Sequence, residues 1–142
     1  MISSEDIAYL AGLFDGEGSI YFAKRIEKKK KHKGKGYRES MSQRISMEVT
    51  MTDESVVRWM HEVLGVGTVN KKPRKGKRKD GTKYLKQYKW RCTFRDAYQV
   101  CLLIWPFAHT KLPKIQQIIE HYSKEKLKRD NVVDLEAYRH AR

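Results

Sequence analysis

The sequence is poor in cysteine and proline and has no long apolar run. Its two cysteines, Cys92 and Cys101, form no CxxC pair and no Cys/His cluster at zinc-ligand spacing. Neither a disulfide framework nor a structural zinc site is therefore indicated. No stretch is apolar enough to span a bilayer, and the N-terminus lacks the basic start and apolar run of a signal peptide. We expect an intracellular protein with no membrane partner, in a compartment that the sequence does not define.

Acidic residues are also scarce relative to basic ones. The 142 residues include 31 Lys and Arg against 17 Asp and Glu, a formal net charge of +14. Solubility does not require so large an imbalance, which favours a polyanionic partner and, in the absence of a membrane segment, a nucleic acid. The length fits one domain. We predict a single domain over residues 1–127 and a charged C-terminal extension or tail over residues 128–142.

The spacing of apolar residues predicts alternating helices and strands in the first half of the chain. A helix begins at a cap formed by Ser3 or Ser4 and ends near Asp15 or Gly16. A strand follows from 19 to 26, with Ile20, Phe22 and Ile26 on one face. A basic loop at 28–36 leads to a second strand that ends at Met51. Thr52 or Asp53 then caps a second helix, which ends at Gly65.

The second half of the chain is predicted to contain two strands followed by two helices. A third strand begins near Gly67 and leads into a basic segment in which Asp80 and Gly81 predict a turn. A fourth strand occupies residues 87–94. Asp96 is predicted to cap a third helix that ends before Pro106, and Pro113 to begin a fourth. The order αββαββαα predicts an α+β fold, with a four-stranded curved sheet that carries helices on one face and leaves a polar, basic face open.

Small residues form a stripe along the first helix. Ala8, Gly12 and Gly16 are spaced by four, so they lie on one helical face that is almost bare of side chains. Glycine destabilises a helix by roughly 1 kcal/mol relative to alanine, so two glycines in one short helix need a reason, and close helix pairing supplies one. Asp15 and Glu17 follow at the helix C-terminus, where negative charge is unfavourable and a divalent cation would offset it.

The segment LAGLFDGEG at residues 10–18 resembles the motif of the LAGLIDADG homing endonucleases. Six of its nine residues are identical to that motif, while Phe14, Gly16 and Glu17 replace Ile, Ala and the final Asp. LGVGTV at 64–69, Trp-Pro-Phe at 105–107 and Lys111 before an apolar helix are similar to later landmarks of members that carry a single motif. The resemblance covers most of the chain and implies the homing-endonuclease-like fold.

The resemblance also implies site roles. A single motif implies a homodimer whose interface contains Ala8, Gly12 and Gly16. Glu17 would be the catalytic metal ligand beside the Gly16 carbonyl, and Lys111 the catalytic basic residue. Asp15 would be structural. The implied cofactor is Mg²⁺, for which Mn²⁺ or Ca²⁺ can substitute in binding. Where family members often carry a solvent-positioning Gln this chain has Met51, and Gln43 lies too far back on the strand to replace it.

The outward residues of the four strands are the natural readers of duplex DNA, because a β-ribbon can enter the major groove and present alternate side chains. The candidates are Tyr21, Arg25, Ser42, Arg44, Ser46, Glu48, Asn70, Lys72, Gln87, Lys89 and Arg91. The basic runs at 28–35 and 71–79 are predicted to contact phosphates, which would make affinity steeply dependent on salt.

Together with the basic charge, the resemblance implies an intron-encoded, homodimeric DNA endonuclease that recognises a long pseudo-palindromic duplex. It would hydrolyse one phosphodiester in each strand with a divalent metal. Two alternatives use the same scaffold without cleavage, namely an RNA maturase that binds intron RNA and a DNA-binding regulator. The target sequence cannot be read from the residues, because base readout also depends on strand register, water and DNA deformation.

Overall fold

The computed structural model describes residues 2–30, 34 and 36–130, which form helices and strands in the predicted order αββαββαα. The elements are α1 (Ser4–Glu17), β1 (Gly18–Lys30), β2 (Tyr37–Met51), α2 (Glu54–Leu64), β3 (Thr68–Lys72), β4 (Gln87–Thr93), α3 (Phe94–Ile104) and α4 (Leu112–Asp130). Most of the predicted tail, residues 131–142, lies outside the described residues, and α4 continues to Asp130. The boundary at 127 stays a prediction. None of the described helices is both long and apolar enough to cross a membrane.

The two helices of the first half begin and end as their capping residues require. The Ser3 hydroxyl accepts a hydrogen bond from the Asp6 N–H at 3.1 Å, and α1 extends to Glu17, slightly beyond its predicted end. At α2, the Asp53 carboxylate accepts hydrogen bonds from the Ser55 hydroxyl at 2.6 Å and the Val56 N–H at 3.2 Å. These bonds hold the pKa of Asp53 below its usual value. Both predicted N-caps are therefore confirmed.

The predicted cap of α3 is wrong. β4 passes into α3 with no intervening loop, so Thr93 occupies the N-cap position and makes no side-chain cap hydrogen bond. Phe94 has φ 51, a left-handed conformation that L-residues adopt at some energetic cost and that turns the chain sharply from strand to helix. Asp96 consequently lies within the first helical turn, where its charge still complements the helix dipole.

One antiparallel sheet carries the four strands in the order β1-β2-β4-β3. Its buried face contributes Ile45, Met47 and Val49 from β2, and Trp90 and Cys92 from β4. These side chains pack with apolar residues of all four helices in one core. Because successive side chains of a strand point to opposite faces of the sheet, the residues between these buried positions lie on the opposite face, which carries no helix.

Ile26 shares a face of β1 with Ile20 and Phe22, as predicted, but it is not buried there. Its side chain is 66% exposed. β1 continues to Lys30 and β2 begins at Tyr37, so the paired strands extend further into the basic segment than the sequence pattern indicates. The end of this ribbon that carries Ile26 therefore contributes little to the core.

Both cysteines are core residues, and burial raises the pKa of Cys92 to about 12 and raises that of Cys101 as well. Since the thiolate is the reactive form, we expect a water-soluble aromatic disulfide reagent at about pH 8 to label the folded protein at least about a hundredfold more slowly than the denatured protein. Absorbance of the released thiol measures both rates. Rapid labelling of the folded protein would show that the two thiols are accessible.

Candidate functional site

The C-terminal end of α1 carries the motif carboxylates. α1 ends at Glu17 and β1 begins at Gly18, whose N–H donates to the Phe14 carbonyl. A Cβ at Gly18 would lie 2.7 Å from the Phe14 carbonyl oxygen and 2.8 Å from the Phe14 Cα, so only glycine fits this tight passage from helix to strand. The Glu17 side chain is exposed. The last carbonyls of a helix lack N–H partners within the helix, so this end presents carbonyl as well as carboxylate oxygens.

Asp15 fastens a distant turn to this end of α1. Its two carboxylate oxygens accept hydrogen bonds from the backbone N–H of Lys111 at 2.9 Å and of His109 at 2.8 Å. These two bonds use one acceptor site on each oxygen and orient the carboxylate toward the turn. The backbone of Lys111, a half-buried residue, is thereby held beside the C-terminal end of α1, directly before α4 begins at Leu112.

Removing the Asp15 carboxylate is expected to loosen this turn. Asp15→Ala leaves two N–H groups without their acceptor. A hydrogen bond to a charged group contributes a net of about 1.5–3 kcal/mol, and because these two bonds are exposed and part-buried we expect the free energy of unfolding to fall by roughly 2 kcal/mol in total. Asp15→Asn keeps one acceptor oxygen, and its loss should be about half as large. Urea denaturation measures both, and exposed Glu62→Ala is the control. An unchanged midpoint in Asp15→Ala would contradict this role.

The stripe of small residues on α1 faces away from the rest of the described chain. Gly12 and Gly16 are exposed, and a Cβ at either position would meet nothing within 4 Å, while Ala8 is half-buried. Neither glycine has positive φ, so the conformation of the chain does not require them. Gly18 differs from these two glycines, because the fold leaves no space for a side chain at that position. Nothing in the described chain therefore requires glycine at positions 12 and 16.

The strand register places all eleven candidate DNA readers on the helix-free face of the sheet. Directly paired residues share a face, and the pairs include Tyr21 with Ser46, Arg25 with Ser42, Glu48 with Arg91, Asn70 with Lys89, and Lys72 with Gln87. Arg44, paired with Ala23, completes the set. The exposed members of this set are Tyr21, Arg44, Asn70, Lys72 and Arg91, and Tyr21 is 42% exposed. The half-buried members are Ser42, Ser46, Glu48, Gln87 and Lys89. The side chain of Arg25 lies outside the described part of the chain. We call this surface the basic sheet face.

A carboxylate stands among the cations of the basic sheet face. Glu48 Oε2 lies 3.4 Å from Lys89 Nζ and 3.8 Å from Arg91 Nε. Glu48 therefore orders the two cations and lowers the local positive potential at the centre of the sheet. Such partly exposed pairs stabilise the fold little, so their main effect is on what approaches the surface.

Met51 lies at the last position of β2, half-buried against the core and paired with Tyr88. Gln43 is paired with Lys24 and lies eight positions earlier on β2. At a strand rise of about 3.3 Å per residue the two positions are separated by roughly 26 Å, so Gln43 does not reach the end of the strand. The structure thus places an apolar side chain at this position.

Residues 73–86 form an arm that connects β3 and β4. The sequence indicates only a run of basic residues and an Asp-Gly turn in this arm. In the structure the Asp80 carboxylate accepts hydrogen bonds from the Thr82 hydroxyl at 2.6 Å and the Thr82 N–H at 3.0 Å. Gly81 has φ 86, and the Arg78 N–H donates to the Thr82 carbonyl at 2.7 Å. The turn is therefore confirmed. A contact that the sequence does not reveal is Arg74, whose Cζ lies 4.3 Å from the ring centroid of Tyr84.

The residues at the end of α1 fit a divalent metal only in part. Glu17 offers an exposed carboxylate and Gly16 a carbonyl, the hard oxygen ligands that Mg²⁺ prefers, whereas Asp15 is occupied by backbone N–H groups. Within the part of the chain that the structure describes, no three His, Cys, Asp or Glu side chains cluster as a metal site. The described residues of one chain therefore supply only part of the ligand set that a divalent metal would need.

The folds of several solved endonucleases are similar to this one. The homing endonuclease I-CvuI in complex with its target aligns with a TM-score of 0.54 and 19% identity, over 89% of this chain and 70% of that chain. The archaeal intron-encoded homing endonuclease I-Vdi141I, complexed with DNA, gives a TM-score of 0.53 and 15% identity over 82% of this chain and 65% of that chain. The predicted α+β architecture, helices on one face of a four-stranded sheet, is thus confirmed.

The sequence itself also matches a protein family. No curated protein matches the chain. The family model of the LAGLIDADG endonuclease, however, matches residues 10–101, from the first residue of the motif on α1 to Cys101 on α3. Since the match covers well over half of the sequence and includes the motif, the chain belongs to the LAGLIDADG endonuclease family.

Proposed function

We propose that this protein is a homodimeric, site-specific endonuclease that recognises a long pseudo-palindromic DNA duplex and hydrolyses one phosphodiester in each strand with a divalent metal. The observation that carries the proposal is at α1. An exposed carboxylate, Glu17, directly follows an open stripe of glycines that the chain's own packing does not use. Membership of the LAGLIDADG endonuclease family and the basic sheet face support it.

The glycine stripe favours a second copy of the same chain as the partner of α1. Helices approach closely where side chains are small, and a two-fold pair uses the same stripe on both partners. The stripe ends at Gly16, one residue before Glu17. A pairing centred on it would therefore carry the two Glu17 side chains to a shared position near the symmetry axis, and it would make the recognised duplex approximately two-fold symmetric.

The basic sheet face supports duplex DNA as the substrate. It presents Arg44, Lys72, Lys89 and Arg91 on a chain of net charge +14, and the same face carries residues able to read base edges. Arg can hydrogen-bond guanine in the major groove through two donors, Gln can pair with adenine, and Glu can accept from cytosine. Lys residues at the strand ends neutralise phosphates, which positions the duplex without reading its sequence.

Glu17, with the Gly16 carbonyl, would hold the metal, and oxygens of the second copy and of a DNA phosphate would complete the ligand set. A bound Mg²⁺ would supply charge neutralisation at the phosphate and activation of water, and Mn²⁺ or Ca²⁺ could replace it in binding. Lys111 would place a positive charge at the phosphate. Asp15 acts on the backbone, since it holds the Lys111 N–H and so positions that side chain relative to Glu17.

One observation favours the alternative of a non-cutting nucleic-acid binder. At the end of β2 the apolar Met51 packs against the core, so this position supplies no polar group that could orient water. An RNA maturase that binds intron RNA, or a DNA-binding regulator, would use the basic sheet face without needing such a group.

Cleavage selection separates these functions. Purified protein is incubated with a library of long random duplexes and Mg²⁺, the cut ends are sequenced, and a parallel reaction contains a chelator. We expect a recurrent, roughly two-fold symmetric sequence at the ends only when Mg²⁺ is present. Binding to duplex DNA without cleavage in Mg²⁺ or Mn²⁺ would refute the nuclease, and a preference for structured intron RNA over duplex DNA would support the maturase.

A further inference from the structure

The arm between β3 and β4 projects beyond the end of the sheet. Lys72 and Gln87 form the last pair of the two strands, and residues 73–86 connect them. This arm contains seven basic residues and a single acidic one, Asp80, whose carboxylate is engaged by Thr82 within the turn. An isolated bridge between Lys77 and Lys83 closes the arm upon itself. The arm is therefore a folded element, whereas a charge run of this composition is more often a solvated loop.

The ring of Tyr84 lies against other residues of the arm, namely Arg74 and Gly76. It is half-buried, while the other residues from 71 to 86 are exposed. The Arg74 guanidinium lies over its ring, with Cζ 4.3 Å from the centroid, and a Cβ at Gly76 would be in ordinary contact with the ring at 3.7 Å. A guanidinium stacked on an aromatic ring uses only its face, so the N–H donors on its edge remain directed outward.

The same residues line an open cleft of about 400 Å³. Arg74, Lys77, Lys83 and Lys86 contribute its four cations, and no described residue of the lining is acidic. Four like charges around one cleft repel one another unless an anion lies between them. The phosphodiester backbone is an anion that suits a stacked guanidinium with free edge donors, since Arg binds phosphate through two parallel hydrogen bonds.

We propose that the arm is a preformed clamp for a backbone phosphate of duplex DNA, in which Tyr84 positions Arg74 for the contact. This inference rests on the proposed binding of DNA and adds a site outside the basic sheet face. Tyr84 touches no phosphate in this arrangement and is a positioning residue. Because the guanidinium is held before binding, less side-chain freedom is lost when the phosphate arrives.

The test measures affinity for a fluorescent random-sequence duplex at several salt concentrations, because phosphate contacts do not depend on sequence. Arg74→Ala should weaken binding about tenfold at low salt and reduce the slope of log affinity against log salt by about one. Tyr84→Leu removes no charge, yet it should produce a similar loss of affinity and a similar fall in slope, because the Arg74 guanidinium no longer has a ring on which to stack. Tyr84→Phe keeps the ring and should bind as the wild type does.

Arg78→Ala is the matched control, since it removes the same charge from the same arm but from outside the lining of the cleft. The Arg74→Ala/Tyr84→Leu double variant should bind no more weakly than Arg74→Ala alone, whereas the effects of Arg78→Ala and Tyr84→Leu should add. Additive losses in the first pair, or a Tyr84→Leu variant with the wild-type slope, would overturn the proposal. So would a Tyr84→Leu defect confined to duplex RNA of the same sequence. If the wild type itself shows no salt-dependent binding to duplex DNA, the proposed function fails as well.

Discussion

Replacing Glu17 with glutamine is expected to abolish strand cleavage while duplex binding stays near the wild-type level. Glutamine has the same shape but a neutral oxygen, so the principal carboxylate ligand at the end of α1 is lost. We expect the cleavage rate to fall by about a thousandfold, the upper end of the range of about 10²–10³-fold that follows removal of one preorganised electrostatic contributor to a reacting centre. Stability should not fall, because negative charge at a helix C-terminus is unfavourable.

The measurement is single-turnover cleavage of a duplex recovered by the selection experiment, together with its dissociation constant in Ca²⁺. Glu5→Gln is the matched control, because Glu5 is an exposed glutamate in the first turn of the same helix. It should cut at the wild-type rate. A Glu17→Gln variant that cuts as fast as the wild type in Mg²⁺ would show that the metal ligand lies elsewhere.

Replacing Gly12 with leucine is expected to convert a dimer into folded monomers that do not cut both strands. Nothing in the described chain lies within 4 Å of a Cβ at this position, so the side chain fits the isolated protomer. Leucine is also a better helix former than glycine, by up to about 1 kcal/mol. The leucine instead occupies the space that a second α1 would need, and close helix pairing is prevented.

Analytical ultracentrifugation at micromolar concentration measures the mass, and circular dichroism verifies the fold. Gln117→Leu is the control, since Gln117 is exposed on α4 and receives the same side chain away from the stripe. That variant should stay dimeric. An unchanged dimer mass in Gly12→Leu would exclude the stripe as the interface, and a monomeric wild type would exclude the homodimer.

The architecture and the identity of the surface residues could be predicted because they follow from periodicity. Arg44, Ser46 and Glu48 alternate with Ile45 and Met47, and a strand with one buried side must turn the first set outward. Helix ends at Ser3, Asp53 and Gly65 were predictable for the same local reason, since each residue satisfies backbone groups within its own turn.

The sequence does not predict a residue's role correctly where that role depends on how elements are connected or on partners distant in the sequence. Asp96 is a residue type that often caps helices. Because β4 leads directly into α3, however, Thr93 occupies the N-cap position and Asp96 lies inside the helix. The two hydrogen bonds of Asp15 join residues 94 and 96 positions apart, which no local pattern encodes. Arg74 and Tyr84 meet across a turn whose geometry is set by Asp80 and Gly81, so their contact is also invisible in a charge run.

The span of the Asp15 hydrogen bonds has a consequence for the order of events during synthesis. α1 and its carboxylates emerge from the ribosome first, whereas the N–H groups of His109 and Lys111 are added roughly a hundred residues later. Until then the Asp15 carboxylate has no partner and Lys111 is absent. The lysine can reach its position only after the sheet and α3 have been made, so a nascent or truncated chain that stops before this turn already contains the motif yet lacks an assembled site.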